Sequence, residues 1–524
     1  MRARTVTGAV TSAALLAKAS VRFERPDRLP RAMMAMATPG NLMTRGLAGA
    51  TARYPLAPAV VDDDGSLSYG RLWTLSDAAV RVLHDRGVRN GGKVGLLARN
   101  HRGFVLGMVA AWKLGADVVF MNTGFAGPQL DQVLSSEAVD VLLHDDEFAD
   151  VVRHGDRESL LAVSLAELAS EAGRRWPAPT LASMREGRSV ILTSGTTGRP
   201  KGASRGASSA TQVAAPLLAS LPIRSRDTVV IAAPLFHAWG LAHLGMGIAL
   251  SSTAVLAPSF DAEATLRAVE EHRADALVVV PVMLQRILAL GGDVLARYDT
   301  STLRYIAASG SALGAPLAAA ALNRFGPVLY NVYGSTEVAI ATVARPRDLR
   351  REPGTAGRVA TGSVVRVLDD SGRPVPEGET GRIFVGSGSR FEGYTDGGGK
   401  EVVDGLVSSG DMGHFDRSGL LFVDGRDDDM IVSGGENVYP FEVEELLTEH
   451  PEVAEAAVVG VPDPDYGQRL KAFVVPARGA TLDADGVRDF VRSRLARHKV
   501  PRDVAFVDEL PRNPTGKLLR KDLA

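Results

Sequence analysis

From about Tyr69 onward, short apolar runs alternate with amphipathic stretches of helical length. Lys93-Val94-Gly95-Leu96-Leu97 reads as a strand leading to a helix around Val105–Leu114, and Val118–Phe120 as a second short strand. The plan recurs at Val190-Ile191-Leu192, Thr228–Ala233, Ala276–Val280 and Tyr305–Ala308. Each run ends in small or polar residues before helix resumes. This predicts α/β sheets whose ligands bind in the crevice beyond the strand ends. After about Pro353 glycine, proline and charge become frequent, and Val364–Leu368 and Arg382–Val385 predict a small β-rich subdomain.

Past Gly425-Arg426-Asp427-Asp428-Asp429 a compact unit of about 95 residues follows, long enough for a small α+β domain. Its pattern predicts a helix at Pro440–Glu449, strands at Ala454–Gly460 and Leu470–Val475, a helix at Asp485–Arg497 and a strand at Val504–Val507. The expected organisation is a large N-terminal portion (1–426), a hinge at 427–429 and a small C-terminal domain (430–524). Residues 1–50 read as an N-terminal extension. Arg2 and Arg4 precede a small-residue stretch through Leu16, and Ala17-Lys18-Ala19 loosely resembles a signal-peptidase site. The stretch is weakly apolar and interrupted by threonines, so an amphipathic helix is the expectation. Such a helix can touch a membrane or a partner, although packing on its own domain is the simpler reading.

Composition narrows the function class. A chain of 524 residues exceeds a single ordinary core, and 45% hydrophobic with 23% charged residues fits a soluble globular protein. A net charge of -2 gives no whole-chain reason to bind nucleic acid or an anionic membrane. No apolar run reaches the roughly 18 to 20 residues that span a bilayer. A cytoplasmic location, with membrane contact only through the N-terminal helix, is the expectation. The absence of cysteine rules out disulfides, thiolate zinc sites and a cysteine nucleophile. If this protein makes a thioester, the sulfur comes from another molecule.

The sharpest local signal is Thr193-Ser194-Gly195-Thr196-Thr197-Gly198-Arg199-Pro200-Lys201-Gly202. Glycines let backbone N–H groups approach an anion closely, hydroxyls add donors, and Lys201 supplies a cation. Its place after a strand and before a helical run is a setting for phosphate binding. The spacing is not that of a Walker A loop, because Arg199-Pro200 separates Gly198 from Lys201. A flexible surface loop is the plain alternative.

This run resembles the signature loop of the adenylate-forming superfamily: acyl-CoA synthetases, peptide-synthetase adenylation domains and beetle luciferases. All ten positions fit. The resemblance continues in family order through Tyr333-Gly334-Ser335-Thr336-Glu337, Ser409-Gly410-Asp411, Gly425-Arg426 and Asn513-Pro514-Thr515-Gly516-Lys517, covering the chain from about Tyr69 to its end. It implies that a carboxylate attacks the α-phosphate of ATP, releasing pyrophosphate, with fixed positive charge and a metal to stabilise two approaching anions. By that resemblance Glu337 binds Mg2+, Thr336 contacts metal or phosphate, and Tyr333 lies against adenine beside Gly334 and Ser335. Gly310, Ser311 and Ala312, in Ser309-Gly310-Ser311-Ala312, read the base through their backbone. Asp411 accepts from the ribose hydroxyls, Arg426 contacts ribose or phosphate, and Lys517 bridges acid and phosphate. Taken alone, each has a plainer reading: Tyr-Gly-Ser-Thr-Glu as a turn and helix cap, Asp411 as the local cap of a Ser-Gly-Asp turn, Lys517 as a solvated tail charge.

The resemblance also implies a second half-reaction with CoA. Asp428 takes the hinge position, rotation of the C-terminal domain withdraws Lys517, and Gly434 and Gly435 line a pantetheine tunnel. Asp427-Asp428-Asp429 itself reads as a solvated acidic turn, since consecutive carboxylates do not converge on one centre. In Pro234-Leu235-Phe236-His237-Ala238-Trp239-Gly240, His237, Trp239 and Gly240 fall at the family's acyl site. His237 stands close to where amino-acid-activating members carry aspartate, and is read as a gating residue. Leu241–Leu250 suits an aliphatic pocket, or ordinary helix packing. Asn122-Thr123-Gly124-Phe125-Ala126-Gly127 looks like fatty acyl-CoA synthetases, which makes a medium- or long-chain fatty acid the first expectation; an aryl or sterol-derived acid is the alternative. A fatty acyl-AMP ligase serving a carrier protein, a luciferase-like oxygenase and a non-catalytic binding module are the competing classes. A homodimer is compatible with all of these.

Overall fold

The computed structural model describes residues 28–35, 37–38, 40–153, 161–174, 185–194, 200–205, 209–387, 393–395, 398–433, 436–463, 467–513 and 516–523. The architecture is mixed α/β. Two large sheets are built mainly from parallel strands, and the strands expected in them are found within a residue or two.

A nine-stranded sheet runs in spatial order Arg358–Val359, Ala339–Ala344, Leu329–Ser335, Tyr305–Ala308, Ala276–Val279, Thr228–Ile231, Thr253–Val255, Pro58–Asp62, Gly65–Ser68. From Leu329–Ser335 to Pro58–Asp62 all pairings are parallel, and the central strands Ala276–Val279 and Tyr305–Ala308 are buried at every position. Burial on both faces explains why these segments read as unbroken apolar runs rather than alternating ones. A six-stranded sheet runs Leu161–Ser164, Val141–His144, Lys93–Leu97, Asp117–Phe120, Ser189–Ser194, Pro200–Arg205, with only the last pairing antiparallel.

The third sheet, from Val364–Leu368 to Leu421–Arg426, is antiparallel throughout and is the expected β-rich part. The fourth is C-terminal. There the long hairpin Val453–Asp463 with Gly467–Pro476 carries Asp503–Phe506 in parallel on its edge. Val438, Val443, Leu447, Val458, Val474, Val487 and Val491 form its own apolar cluster under the Pro440–Thr448 and Ala484–Arg492 helices.

Four expectations are corrected. The first sheet begins before Tyr69: Pro58–Asp62 and Gly65–Ser68 pair across the polar Asp63-Asp64 turn, and strands this short show too little alternation to be read. The expected extension at 1–50 cuts through the Leu42–Arg53 helix, in which Leu47 and Ala50 are fully buried. A Cβ on Gly46 would lie 3.3 Å from Ala249 Cα and one on Gly245 2.6 Å from Met43 Cε, so small residues let this helix sit tightly on Ala238–Ala249. The last helix ends at Arg492, not Arg497, because the chain must turn to bring Asp503–Phe506 alongside Gly467–Pro476. Finally, the signature loop does not lead into a helix. Ser189–Ser194 and Pro200–Arg205 pair antiparallel, with Thr193 opposite Lys201 and Ser194 opposite Pro200, and the next helix begins only at Ser209. The strands on either side of the loop are therefore the two arms of a hairpin, and no helix terminus follows it directly. Gly195, Thr196, Thr197 and Gly198 themselves lie outside the described residues, as do Ala17-Lys18-Ala19.

No helix among the described residues is long and apolar enough to cross a membrane.

Candidate active site

Strand ends of the nine-stranded sheet, the hairpin of the third sheet and the C-terminal tail come together. Tyr333, Gly334 and Ser335 end the Leu329–Ser335 strand, and Thr336-Glu337-Val338 turn the chain back into Ala339–Ala344. Gly334 is required there: a Cβ would sit 1.9 Å from the carbonyl oxygen of Ala339. The expected turn is therefore a β-hairpin tip, not a helix cap. At that tip Glu337 is held by both oxygens, Ser335 Oγ donating to Oε2 at 2.8 Å and Tyr394 Oη to Oε1 at 2.8 Å.

Asp411 lies in the Leu406–Phe415 strand rather than in a turn, directly opposite Arg426 on Leu421–Arg426. The expected Ser-Gly-Asp turn is overridden by ladder pairing, and its trace is Gly410, which keeps φ at +80° within the strand. Tyr333 Oη donates to Asp411 Oδ2 at 2.5 Å, and Arg426 Nη1 stands 3.6 Å from Oδ1. Burial raises the Asp411 carboxyl above its usual range, opposed by Arg426, the Tyr333 hydroxyl and the charge of Lys517. Burial, with the adjacent carboxylate, pushes the Tyr333 phenol well up, so Tyr333 stays protonated and donates. Lys517, 106 positions further along the chain, is thus electrostatically part of the same site.

The tail that carries Lys517 docks on the large sheet. A Cβ on Gly516 (φ +78°) would lie 2.3 Å from Val282 Cγ1, so the Gly516–Val282 contact admits only glycine. The turn is closed by Lys517 N–H donating to Asn513 Oδ1 at 2.9 Å and by Arg512 Nη1 donating to Gly516 O at 2.9 Å. Two further contacts join the C-terminal sheet and its helix to the large portion. Ala315 N–H, at the start of the Ala315–Phe325 helix, donates to Glu445 Oε1 at 3.0 Å, and Gln285 Nε2 donates to Ala454 O at 3.2 Å.

Gly310, Ser311 and Ala312 form an exposed lip between Tyr305–Ala308 and Ala315–Phe325, anchored by the buried Ser309, whose Oγ donates to Val332 O at 2.7 Å. His237 caps no backbone group at the start of Ala238–Ala249. The residue is partly exposed, but its Nε2 is buried without a hydrogen bond among the described residues. Protonation occurs on that buried ring, and burial lowers its pKa to about 4. Trp239 is pinned: Nε1–H donates to Val279 O at 3.1 Å, at the end of a central strand, and the indole meets His243 edge-on at 4.3 Å. Gly240 faces backbone, since a Cβ would sit 2.5 Å from Pro234 O and 2.7 Å from Ala233 O.

Asp427–Asp429 form a short 3-10 turn immediately after Arg426. Asp427 pairs with Arg382 at 3.5 Å and Asp429 with Arg520 at 3.3 Å, so these two carboxylates diverge, as expected of an acidic turn. The backbone of Thr193, Ser194, Lys201 and Asp428 is placed by these elements; Gly434 and Gly435 lie outside the described residues, between the paired Ile431–Ser433 and Glu436–Val438 strands.

Three residues of the site carry no local motif. Tyr394 reaches Glu337. Lys400 Nζ would be 3.2 Å from a Cβ on Gly410, beside Arg426. Asn100 grips the approach to His237, donating to Ala233 O at 3.0 Å and accepting from Leu235 N–H at 2.8 Å. Only contacts across the fold reveal them.

Residues 47–395, more than half of the chain, match the family described as AMP-binding enzyme, and 442–517 match the AMP-binding enzyme C-terminal domain. The chain belongs to the AMP-binding enzyme family. It is 35% identical to an indoleacetate–CoA ligase of Aromatoleum aromaticum over 90% of this chain and 95% of that protein. A feruloyl-CoA synthase of an Amycolatopsis species is also 35% identical, over 90% of this chain and 96% of its own length. Among solved structures, the anthranilate CoA ligase AuaEII in complex with anthranoyl-AMP superposes with a TM-score of 0.83 at 26% identity, covering 92% of this chain and 96% of the other.

Proposed function

We propose that this AMP-forming acid–thiol ligase activates an aryl or arylalkanoic acid as its acyl-adenylate and transfers the acyl group to CoA. The fatty acid expected from Asn122–Gly127 gives way to this reading, because relatives spanning nearly the whole chain are named for indoleacetate and ferulate. The observation that carries the site is the convergence of Tyr333, Arg426 and the docked Lys517 tail on Asp411. That arrangement suits the adenylation half-reaction.

In it, Asp411 accepts from ribose hydroxyls, Tyr333 orients Asp411 and lies beside the base, and the lip Gly310-Ser311-Ala312 offers backbone groups to adenine. The hairpin tip with Thr193, Ser194, Gly195, Thr196, Thr197, Gly198 and Lys201 holds the phosphates. Lys517 neutralises the carboxylate as it approaches the α-phosphate. Mg2+ fits this donor set: Glu337 and the Thr336 hydroxyl are hard oxygen ligands. Glu337 and Thr336 would hold the ion, in keeping with the usual binding of magnesium through one or two carboxylates together with substrate phosphates. When bound, the ion supplies charge neutralisation at the phosphates.

For the second step the 427–429 turn is the hinge. Rotation there breaks the Gly516–Val282 and Glu445–Ala315 contacts and brings Gly434 and Gly435 to the thiol's path. Having no cysteine, the chain itself provides no thiol, in keeping with CoA as its source. The deciding experiment is a panel of aryl, arylalkanoic and fatty acids assayed for both AMP release and CoA consumption. Coupled turnover with an aryl or arylalkanoic acid is the expected result. Turnover only with long fatty acids, or AMP release without CoA consumption, overturns the assignment.

A further inference from the structure

Glu337 sits on a hairpin tip, where a carboxylate on three rotatable bonds is not fixed by packing alone. Ser335, two residues away, holds one oxygen, and Tyr394, 57 residues away, holds the other. Tyr394 is followed by Thr395, whose backbone N–H donates to Gly202 O at 2.8 Å, on the strand that leaves the signature hairpin. Thr395 Oγ also donates to Glu137 Oε1 at 2.5 Å, and Glu137 is buried, with Lys93 Nζ 3.5 Å from its other oxygen. A Cβ on Gly202 would lie 2.4 Å from Glu137 Oε1 and 2.7 Å from Thr395 Oγ, so a larger residue at this junction would have to displace those side chains. Residues 394–395 therefore connect Glu337, on the nine-stranded sheet, to Gly202, on the six-stranded one.

A carboxylate has about four acceptor positions, so one hydroxyl on each oxygen leaves a lone pair on each for a cation. Groups that orient a metal-binding side chain in this way typically change metal affinity by about 10- to 100-fold when removed. We propose that Tyr394 is a positioning residue: its hydroxyl fixes the Glu337 carboxylate and, through Thr395, sets its spacing from the phosphate-binding hairpin. The proposal rests on the reading of Glu337 as the Mg2+ ligand.

The test uses full-length protein with a non-hydrolysable ATP analogue and Mn2+ as the probe, free ion being measured by electron paramagnetic resonance. Tyr394→Phe deletes one oxygen and is expected to weaken Mn2+ binding about tenfold. The Mg2+ needed for half-maximal pyrophosphate exchange rises in parallel, while transfer from supplied acyl-adenylate to CoA keeps its rate. Thr395→Val, which keeps the backbone bond to Gly202 but loses the Glu137 contact, gives a smaller shift in the same direction. Parent-like Mn2+ affinity in Tyr394→Phe overturns the proposal, as does a fall in exchange rate with unchanged metal dependence, the mark of a merely structural role. Glu337→Gln separates the two readings. If it binds Mn2+ like the parent, the metal reading of Glu337 is lost; if it loses Mn2+ and Tyr394→Phe does not, only the role of Tyr394 is lost.

Discussion

Asp411 and His237 are both titratable and both largely withdrawn from water, and their surroundings treat them in opposite ways. Asp411 receives the Tyr333 hydroxyl, stands near the Arg426 guanidinium and feels the charge of Lys517. His237 Nε2 receives no hydrogen bond among the described residues and its ring is left neutral, with a pKa of about 4. On the proposed nucleotide side, desolvation is partly offset by partners already in place, although burial outweighs them and leaves the Asp411 carboxyl raised; such a partnered carboxylate suits recognition of hydroxyls. On the proposed acyl side desolvation is not offset, which suits a dry wall that selects by shape. The nucleotide is common to the whole family, so its site can be rigidly prearranged; the acid varies, and variation costs least where no polar network must be rebuilt.

Substitutions can break this contrast, beginning with the one expected to cost most. Lys517→Ala removes the cation proposed to bridge the acid and the phosphate. Adenylation, read as pyrophosphate exchange, is expected to fall by about 10²- to 10³-fold or more, as when a preorganised charge-stabilising group is lost. Transfer from supplied acyl-adenylate is expected to survive; equal losses in both steps would mean that Lys517 does not act in adenylation alone.

Asp411→Asn confines the damage to the nucleotide. Hydrogen bonds to a charged group contribute about 1.5–3 kcal/mol, so the KM for ATP is expected to rise about 10- to 100-fold with the KM for the acid nearly unchanged. Discrimination between ATP and its 2′- and 3′-deoxy analogues should fall with it. A matching rise in the acid's KM would erase the distinction between the two sides.

Trp239→Leu touches only the acid. Trp239 is fixed by Val279 and His243, and we propose it as a wall of the acyl pocket. Shortening it is expected to shift preference toward bulkier acids by about tenfold in kcat/KM, with the KM for ATP unchanged. An unaltered acid profile would place the wall elsewhere.

The smallest effect concerns pH. Burial lowers both His237 and His243 to about 4, against about 6.5 for an unfolded histidine. Unfolding therefore takes up protons between these values. The stabilising contribution is complete above about 6.5 and is lost as pH falls toward 4. The melting temperature is expected to drop between pH 7 and pH 5, and His243→Leu to flatten part of that slope. In the same range His237 stays neutral, so it should impose no pH dependence on the adenylation rate; a rate change titrating near 6 that vanishes in His237→Phe would show a protonated role.

The strands and motifs were legible because each depends on neighbours in the chain. A doubly buried parallel strand must be apolar at every position, and Gly334 and Gly516 are needed where another backbone or side chain comes too close for a Cβ. The helix expected after the signature loop was misread because Gly-Ala-Ser at 202–204 carries no strand signal of its own. That segment becomes a strand only by pairing with Ser189–Ser194.

The sequence by itself determined the α/β class and the ordered set of motifs, since local periodicity and local glycine requirements are written in consecutive residues. Only the tertiary structure decided which of those residues meet. Tyr333 reaches Asp411 across 78 positions, Tyr394 reaches Glu337 across 57, and Asn100 holds the loop before His237 across more than 130. Such pairings follow from how the sheets stack, and no spacing along the chain encodes them.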